Sequence, residues 1–130
     1  MKIEIAAIAE VDRLWPLVRD DLQRACLRAP DPITAGELWQ MCRSGNGFLF
    51  IIHDGAKIHA SAVMRFEDDA FRVWALAGHG LSAWLADFFE TVKALGKENG
   101  AKRLVTKGRA GWLRLIKGSR QNGKDYEVEI

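Results

Sequence analysis

The sequence predicts a mixed α/β (α+β) domain, with a mostly antiparallel sheet of about six strands flanked by four helices. Its order is strand, helix, helix, three strands, helix, strand, helix, strand. Three observations carry that prediction. The apolar spacing is helical up to residue 44 and shifts to a period of two from Phe48. Two turn signals, Asp54-Gly55 and Glu67-Asp68-Asp69, then cut the segment 48–77 into three strands, which reads as an antiparallel meander. Finally, a long amphipathic stretch separates the last of these from another strand, which predicts a parallel pair joined by a right-handed crossover.

Residues 2–6 alternate and read as a short strand. In 10–28, Val11, Leu14, Val18, Leu22 and Ala25 recur at helical spacing. Pro16 lies inside that helix and predicts a kink or a later true start. Ala29-Pro30-Asp31-Pro32 breaks the chain. Thr34 with Glu37 forms a capping-box pattern for a second helix over 35–44, stopped by Ser44-Gly45-Asn46-Gly47.

Phe48 to His53 is a continuous apolar run, as in a buried central strand. In 57–66, Ile58, Ala60, Ala62, Met64 and Phe66 share one face. In 70–77, Phe71, Val73 and Ala75 alternate with Arg72, Trp74 and Leu76. The third helix runs from Leu81 to Asn99 on a stripe of Leu81, Trp84, Leu85, Phe88, Val92 and Leu95. A strand follows over 102–106, then a short helix at about 110–117. Gln121-Asn122-Gly123-Lys124 turns the chain into a last strand bearing Tyr126, Val128 and Ile130. There is no repeat or linker, so residues 1–130 form one domain.

With 48% hydrophobic and 28% charged residues, the composition is that of a globular chain and not a disordered one. A net charge of +2 argues against general nucleic-acid binding. Basic residues thicken late, from Lys102 and Arg103 to Lys124, as a solvated face or a landing zone for a polyphosphate or acidic partner. Cys26 and Cys42 fall among apolar neighbours and read as buried free thiols, not as a disulfide or metal site. No secretory leader or membrane-spanning run is apparent, so a cytoplasmic setting is the expectation.

The most telling stretch is Ala77-Gly78-His79-Gly80-Leu81-Ser82-Ala83-Trp84. A strand that ends in glycines and opens into a helix presents unpaired N–H donors and the positive end of the macrodipole. Glycine lets an anion come close to the backbone. This suits a phosphate.

The element order together with that turn resembles the GNAT acyltransferase superfamily. Its loop, Gln/Arg-x-x-Gly-x-Gly/Ala, cradles the pyrophosphate of acetyl-CoA. Here Ala77 stands at the Gln/Arg position, Gly80 matches, and Ser82 stands at the last position. Gly108-Arg109-Ala110-Gly111-Trp112 further resembles the Gly-Arg-x-Gly-Trp segment of small GNAT-like proteins of tailed phages and prophages.

The resemblance implies a cofactor segment of Leu76, Ala77, Gly78, His79, Gly80, Leu81, Ser82 and Ala83, with Arg109 as a further phosphate contact. Acyl transfer to an amine also needs groups that move protons. The catalytic candidates are Glu67, His79 and Tyr126. The family's usual tyrosine in the last helix is absent, since Trp112, Leu113, Leu115 and Ile116 occupy 112–116 with Arg114. Two readings follow. One is an N-acyltransferase taking a CoA thioester and an amine acceptor. The other is an inactive GNAT-like phage or prophage protein that serves as an assembly or interaction module, in the host cytoplasm or virion-associated. Self-association is compatible with either.

Overall fold

The computed structural model describes residues 1–28, 33–107, 118–123 and 125–130. Strand β1 (Lys2–Ile5) is followed by a single 3-10 turn at Ile8–Glu10 and helices α1 (Val11–Leu27) and α2 (Ala35–Arg43). Then come β2 (Phe48–His53), β3 (Ile58–Glu67), β4 (Ala70–Gly78), α3 (Leu81–Glu98), β5 (Arg103–Lys107), β6 (Arg120–Asn122) and β7 (Asp125–Glu129). The seven strands form one sheet in the order β1-β2-β3-β4-β5-β7-β6. Every pair is antiparallel except β4–β5, which α3 connects as a parallel crossover.

Strand β2 shows why its apolar run is unbroken. Phe50 and Ile52 face α3, while Leu49 and Ile51 face α1 and α2, so both faces of the strand are buried. The α3 layer packs on aromatic rings. Phe88 meets Phe50 edge-on at 5.8 Å, and Phe66 stacks on Phe71 at 4.1 Å between centroids. In the other layer, Val11, Trp15, Val18, Leu22 and Cys26 repeat along the buried side of α1. Thr34 Oγ1 accepts from the Glu37 amide at 3.1 Å, forming the expected N-cap of α2. Asp12 ties the two helices by accepting from Trp39 Nε1 at 2.8 Å. Both cysteines are buried and free, and burial pushes the Cys42 thiol up to about 12.

Several expectations need correction. Helix α1 starts at Val11 with Pro16 inside it, so the proline does not delay the start. Pro16 lies on the exposed side, where water can serve the carbonyl left open by its missing N–H. Among the described residues the sheet has seven strands, because Arg120–Asn122 pairs with β7, so Gln121 and Asn122 belong to a strand and not to the turn. A strand of Arg-Gln-Asn has no apolar alternation to reveal it. Three α-helices lie among the described residues, and the expected fourth at 110–117 lies outside them.

Two strand faces also differ from expectation, both because of β-bulges. Val63 pairs with Ala75 but Met64 pairs with Val73, so Trp74 is an extra residue in β4. Phe71 and Val73 therefore face α3, whereas Ala75 faces the opposite layer. A second irregularity, after Ile52, moves Ile58 out of the face shared by Ala60, Ala62 and Met64. Leu81, at the start of α3, is exposed rather than part of the buried stripe.

Phe88 is fully buried between Phe50 and Trp84. Phe88→Ala is expected to cost about 3–5 kcal/mol, read as a lower urea midpoint with an unchanged slope.

Candidate functional site

The site is built where the one parallel ladder of the sheet ends. Strands β4 and β5 pair only from Ala70↔Arg103 to Val73↔Thr106. Both strands continue past that point. β4 runs on to Gly78 with β3 as its partner, and β5 runs on to Lys107 with β7 as its partner. Beyond Val73, β4 has no strand beside it on the β5 side among the described residues, so the two strands part company. The Trp74 bulge falls at this vertex, where extra local twist turns β4 aside.

The open side of β4 leads to the glycine turn. Gly78 pairs with Ala60, and the His79 amide donates to the His59 carbonyl at 2.9 Å. A Cβ at Gly78 would lie 2.4 Å from Ala60 Cβ and 2.5 Å from the His59 carbonyl oxygen, so only glycine fits the sheet there. Gly80 is the N-cap of α3 in the left-handed region (φ 67°, ψ 40°). A Cβ built on Gly80 meets nothing within 4 Å among the described residues.

Glycine offers no side-chain oxygen, so α3 starts without the side-chain cap that Thr34 gives α2. The Ala83 amide bonds to the Gly80 carbonyl at 2.9 Å. The amides of Gly80, Leu81 and Ser82 have no hydrogen-bond partner among the described residues, and residues 78–83 are exposed. Buried Trp84 donates its Nε1–H to the His79 carbonyl at 2.7 Å, which ties this carbonyl of the turn to the core. The result is a set of donors at the positive end of an 18-residue helix.

The other side of the vertex is fastened by charge. On the face opposite α3, Arg72 makes a bidentate pair with Asp125 (3.1 and 3.2 Å) and a 2.6 Å contact from Nε to Glu67. Asp125 lies on β7 opposite Lys107, so this clamp crosses over β5. Burial opposes the Arg72 cation, but Asp125 and then Glu67 outweigh it and raise its pKa. Next to it, Glu127 is buried and accepts from Arg103 at 2.6 Å and from Arg120 at 3.1 Å. The Arg103 hydrogen bond leads in lowering the Glu127 pKa, Arg120 adds to it, and burial opposes both.

The candidates singled out in the sequence are placed as follows. Residues 76–83 are contiguous through the end of β4, the turn and the first turn of α3. Glu67 is the last residue of β3 and pairs with Ala70, roughly 25 Å of strand from Gly78 at the other end of β4, with its carboxylate on Arg72. Tyr126 lies opposite Thr106, in line with the last β4–β5 pair. Arg109 and Trp112 lie outside the described residues. Sequence reasoning missed the Trp84 anchor and the Arg72–Asp125 clamp, since neither spacing carries a local signal. No helix among the described residues is long and apolar enough to cross a membrane. No cluster of three or more metal-ligating side chains occurs among them.

Solved structures match this fold over the whole chain. The Tetrahymena GCN5 crystal structure is 13% identical with a TM-score of 0.69, covering 100% of this chain and 96% of that one. A GNAT family acetyltransferase from Brucella melitensis in complex with acetyl-CoA is 11% identical, with a TM-score of 0.69 and coverage of 99% and 87%. The PaiA N-acetyltransferase of Thermoplasma acidophilum in complex with coenzyme A is 10% identical, with a TM-score of 0.63 and coverage of 100% of both chains. The chain therefore has the GNAT acetyltransferase fold. No family model matches the sequence, and no curated protein matches it.

Two expected outcomes follow from this geometry. Gly78→Ala should destabilise the protein more than Gly80→Ala, because the first clashes with β3 while the second bears only left-handed strain of about 1–2 kcal/mol; thermal unfolding of the two variants makes the comparison. The depressed Glu127 pKa contributes stability that is present above the ordinary glutamate range and is lost as pH falls through the lower folded value. Glu127→Gln should therefore flatten the loss of stability below about pH 4, as read by urea unfolding across acid pH.

Proposed function

We propose that the chain binds a CoA thioester in the opening between β4 and β5 and passes its acyl group to an amine. The supporting observation is the β4–β5 ladder that stops at Val73↔Thr106 while β4 runs on to an uncapped, exposed helix start. The fold shared with proteins solved in complex with CoA or acetyl-CoA supports the same reading.

Bound there, the thioester would supply an acyl group activated for attack by an amine. The chain's share of the work is to bind, orient and move protons. The amides of Gly80, Leu81 and Ser82 suit the pyrophosphate, with Leu76, Ala77, Gly78, His79 and Ala83 shaping the approach. Arg109 stays in the proposal as a phosphate contact from outside the described residues. The edge of β4 from Ala75 to Gly78 presents main-chain groups that suit an amide-bearing arm laid beside it as an extra strand.

The departing thiolate needs a proton donor. Tyr126 is our candidate for it, because its strand register aligns it with the vertex. For the amine proton, the candidates are His79 in the turn and Glu67, whose carboxylate Arg72 already holds. The acceptor is an amine of unassigned identity.

The second reading is a GNAT-fold protein of a phage or prophage without catalysis, acting as an assembly or interaction module. It draws on Ala77 at the usual Gln/Arg position, on the absence of a tyrosine from 112–116 and on the Gly-Arg-x-Gly-Trp likeness of 108–112. Isothermal titration with acetyl-CoA and CoA separates the outcomes. We expect saturable binding that Gly80→Glu weakens at least about tenfold, by setting a carboxylate against the phosphate site, with circular dichroism unchanged. Absence of binding at millimolar ligand overturns the cofactor reading. Binding without acyl transfer to a panel of amines favours the module.

A further inference from the structure

The sheet has two edges, and the β1 edge is built to meet its own copy. We propose that the chain dimerises by antiparallel pairing of β1 with β1 of a second copy, centred on Ile3, giving one continuous sheet through the dimer.

The argument begins with the direction of the main-chain groups. The Ala6 amide donates to the Leu49 carbonyl at 2.8 Å, so Ala6 faces β2. Polar groups alternate along a strand, so those of Glu4 and Lys2 also face β2, while those of Ile3 and Ile5 face outward. A twofold axis through Ile3 sets Ile3 opposite Ile3 of the second copy. That pair exchanges both its N–H···O bonds, and the outward amide of Ile5 meets the Met1 carbonyl of the second copy. The outward groups are therefore in the phase that this register demands.

The side chains agree with the same register. Lys2 falls opposite Glu4 of the second copy, and Glu4 opposite Lys2, in the closely spaced non-hydrogen-bonded positions. Lys2 and Glu4 are both exposed, and Glu4 uses one carboxylate oxygen on His53 Nε2 (3.2 Å), leaving the other for the lysine. Met1 falls opposite Ile5, and these are two of the large apolar residues the protein exposes, at 46% and 43%. A third, Leu17 at 64%, lines a recess of about 480 Å³ beside this edge together with Glu4, Ile5 and Leu14. Uncovered strand edges ordinarily carry protection against pairing. Here the one charge of each sign is placed to attract in self-pairing, and the opposite edge strand, Arg-Gln-Asn, has no such complement.

Four residues per strand make a small interface, so a dimer of modest affinity is expected. Light scattering coupled to size exclusion, run from micromolar to millimolar chain, should show the mass rise from 14.6 kDa toward twice that value. Lys2→Glu alone and Glu4→Lys alone should each raise the dissociation constant by about tenfold or more, since each turns both cross-strand attractions into repulsions. An equimolar mixture of the two variants should regain the dimer, and so should the double variant. Ile5→Pro should also give monomer with unchanged circular dichroism, because it removes an outward N–H and no bond to β2. A chain that stays monomeric throughout overturns the proposal. So does a dimer indifferent to these charges, or a mixture that fails to recover it. None of these readouts depends on CoA binding.

Discussion

Everything distinctive in this molecule depends on a ladder that stops early. Two parallel strands hold four residue pairs and then separate, each continuing beside a different antiparallel neighbour. Main-chain groups that lose a strand partner are costly when buried and useful when they face a ligand or water. The separation therefore makes sense only if it stays open to the surface. The exposed, uncapped start of α3 at its rim is consistent with that.

Stability around the opening comes from opposite kinds of interaction on the two faces of the sheet. On the α3 side, rings and aliphatic groups fill the space under the vertex, with Phe71, Val73, Trp84 and Phe88 all buried. On the other side, arginines and carboxylates bridge β4, β5 and β7. Partly buried bidentate pairs of this type add directional rigidity more than net stability. Packing sets how firmly the strands are joined below the vertex, and the arginine clamp sets their lateral spacing. Trp84 belongs to both tasks, since its ring is core and its N–H fixes a carbonyl of the turn.

The parts of this design that sequence reveals are those with a period or a local chemical signature. The helices, the meander, the parallel crossover and the Gly78–Gly80 turn all follow from spacing and from residues with special backbone freedom. The Thr34 cap was legible for the same reason. What escaped was long-range. A bulge is a mismatch between two strands and leaves no mark in either one alone, so Ala75 and Ile58 were assigned to the wrong faces. β6 is polar throughout and exists because β7 offers it an edge. Arg72 and Asp125 are 53 residues apart, and only the folded sheet makes them partners.

The extra residue at Trp74 has a bearing on how such a chain can change over time. Upstream of it, the strand feeds one layer of the molecule; downstream, the same alternation serves the other layer. Removing that residue alone would make Val63↔Ala75 and Met64↔Val73 consecutive pairs and leave Ala75, Leu76 and Ala77 on their present faces; what would go is the added twist where the parallel ladder ends.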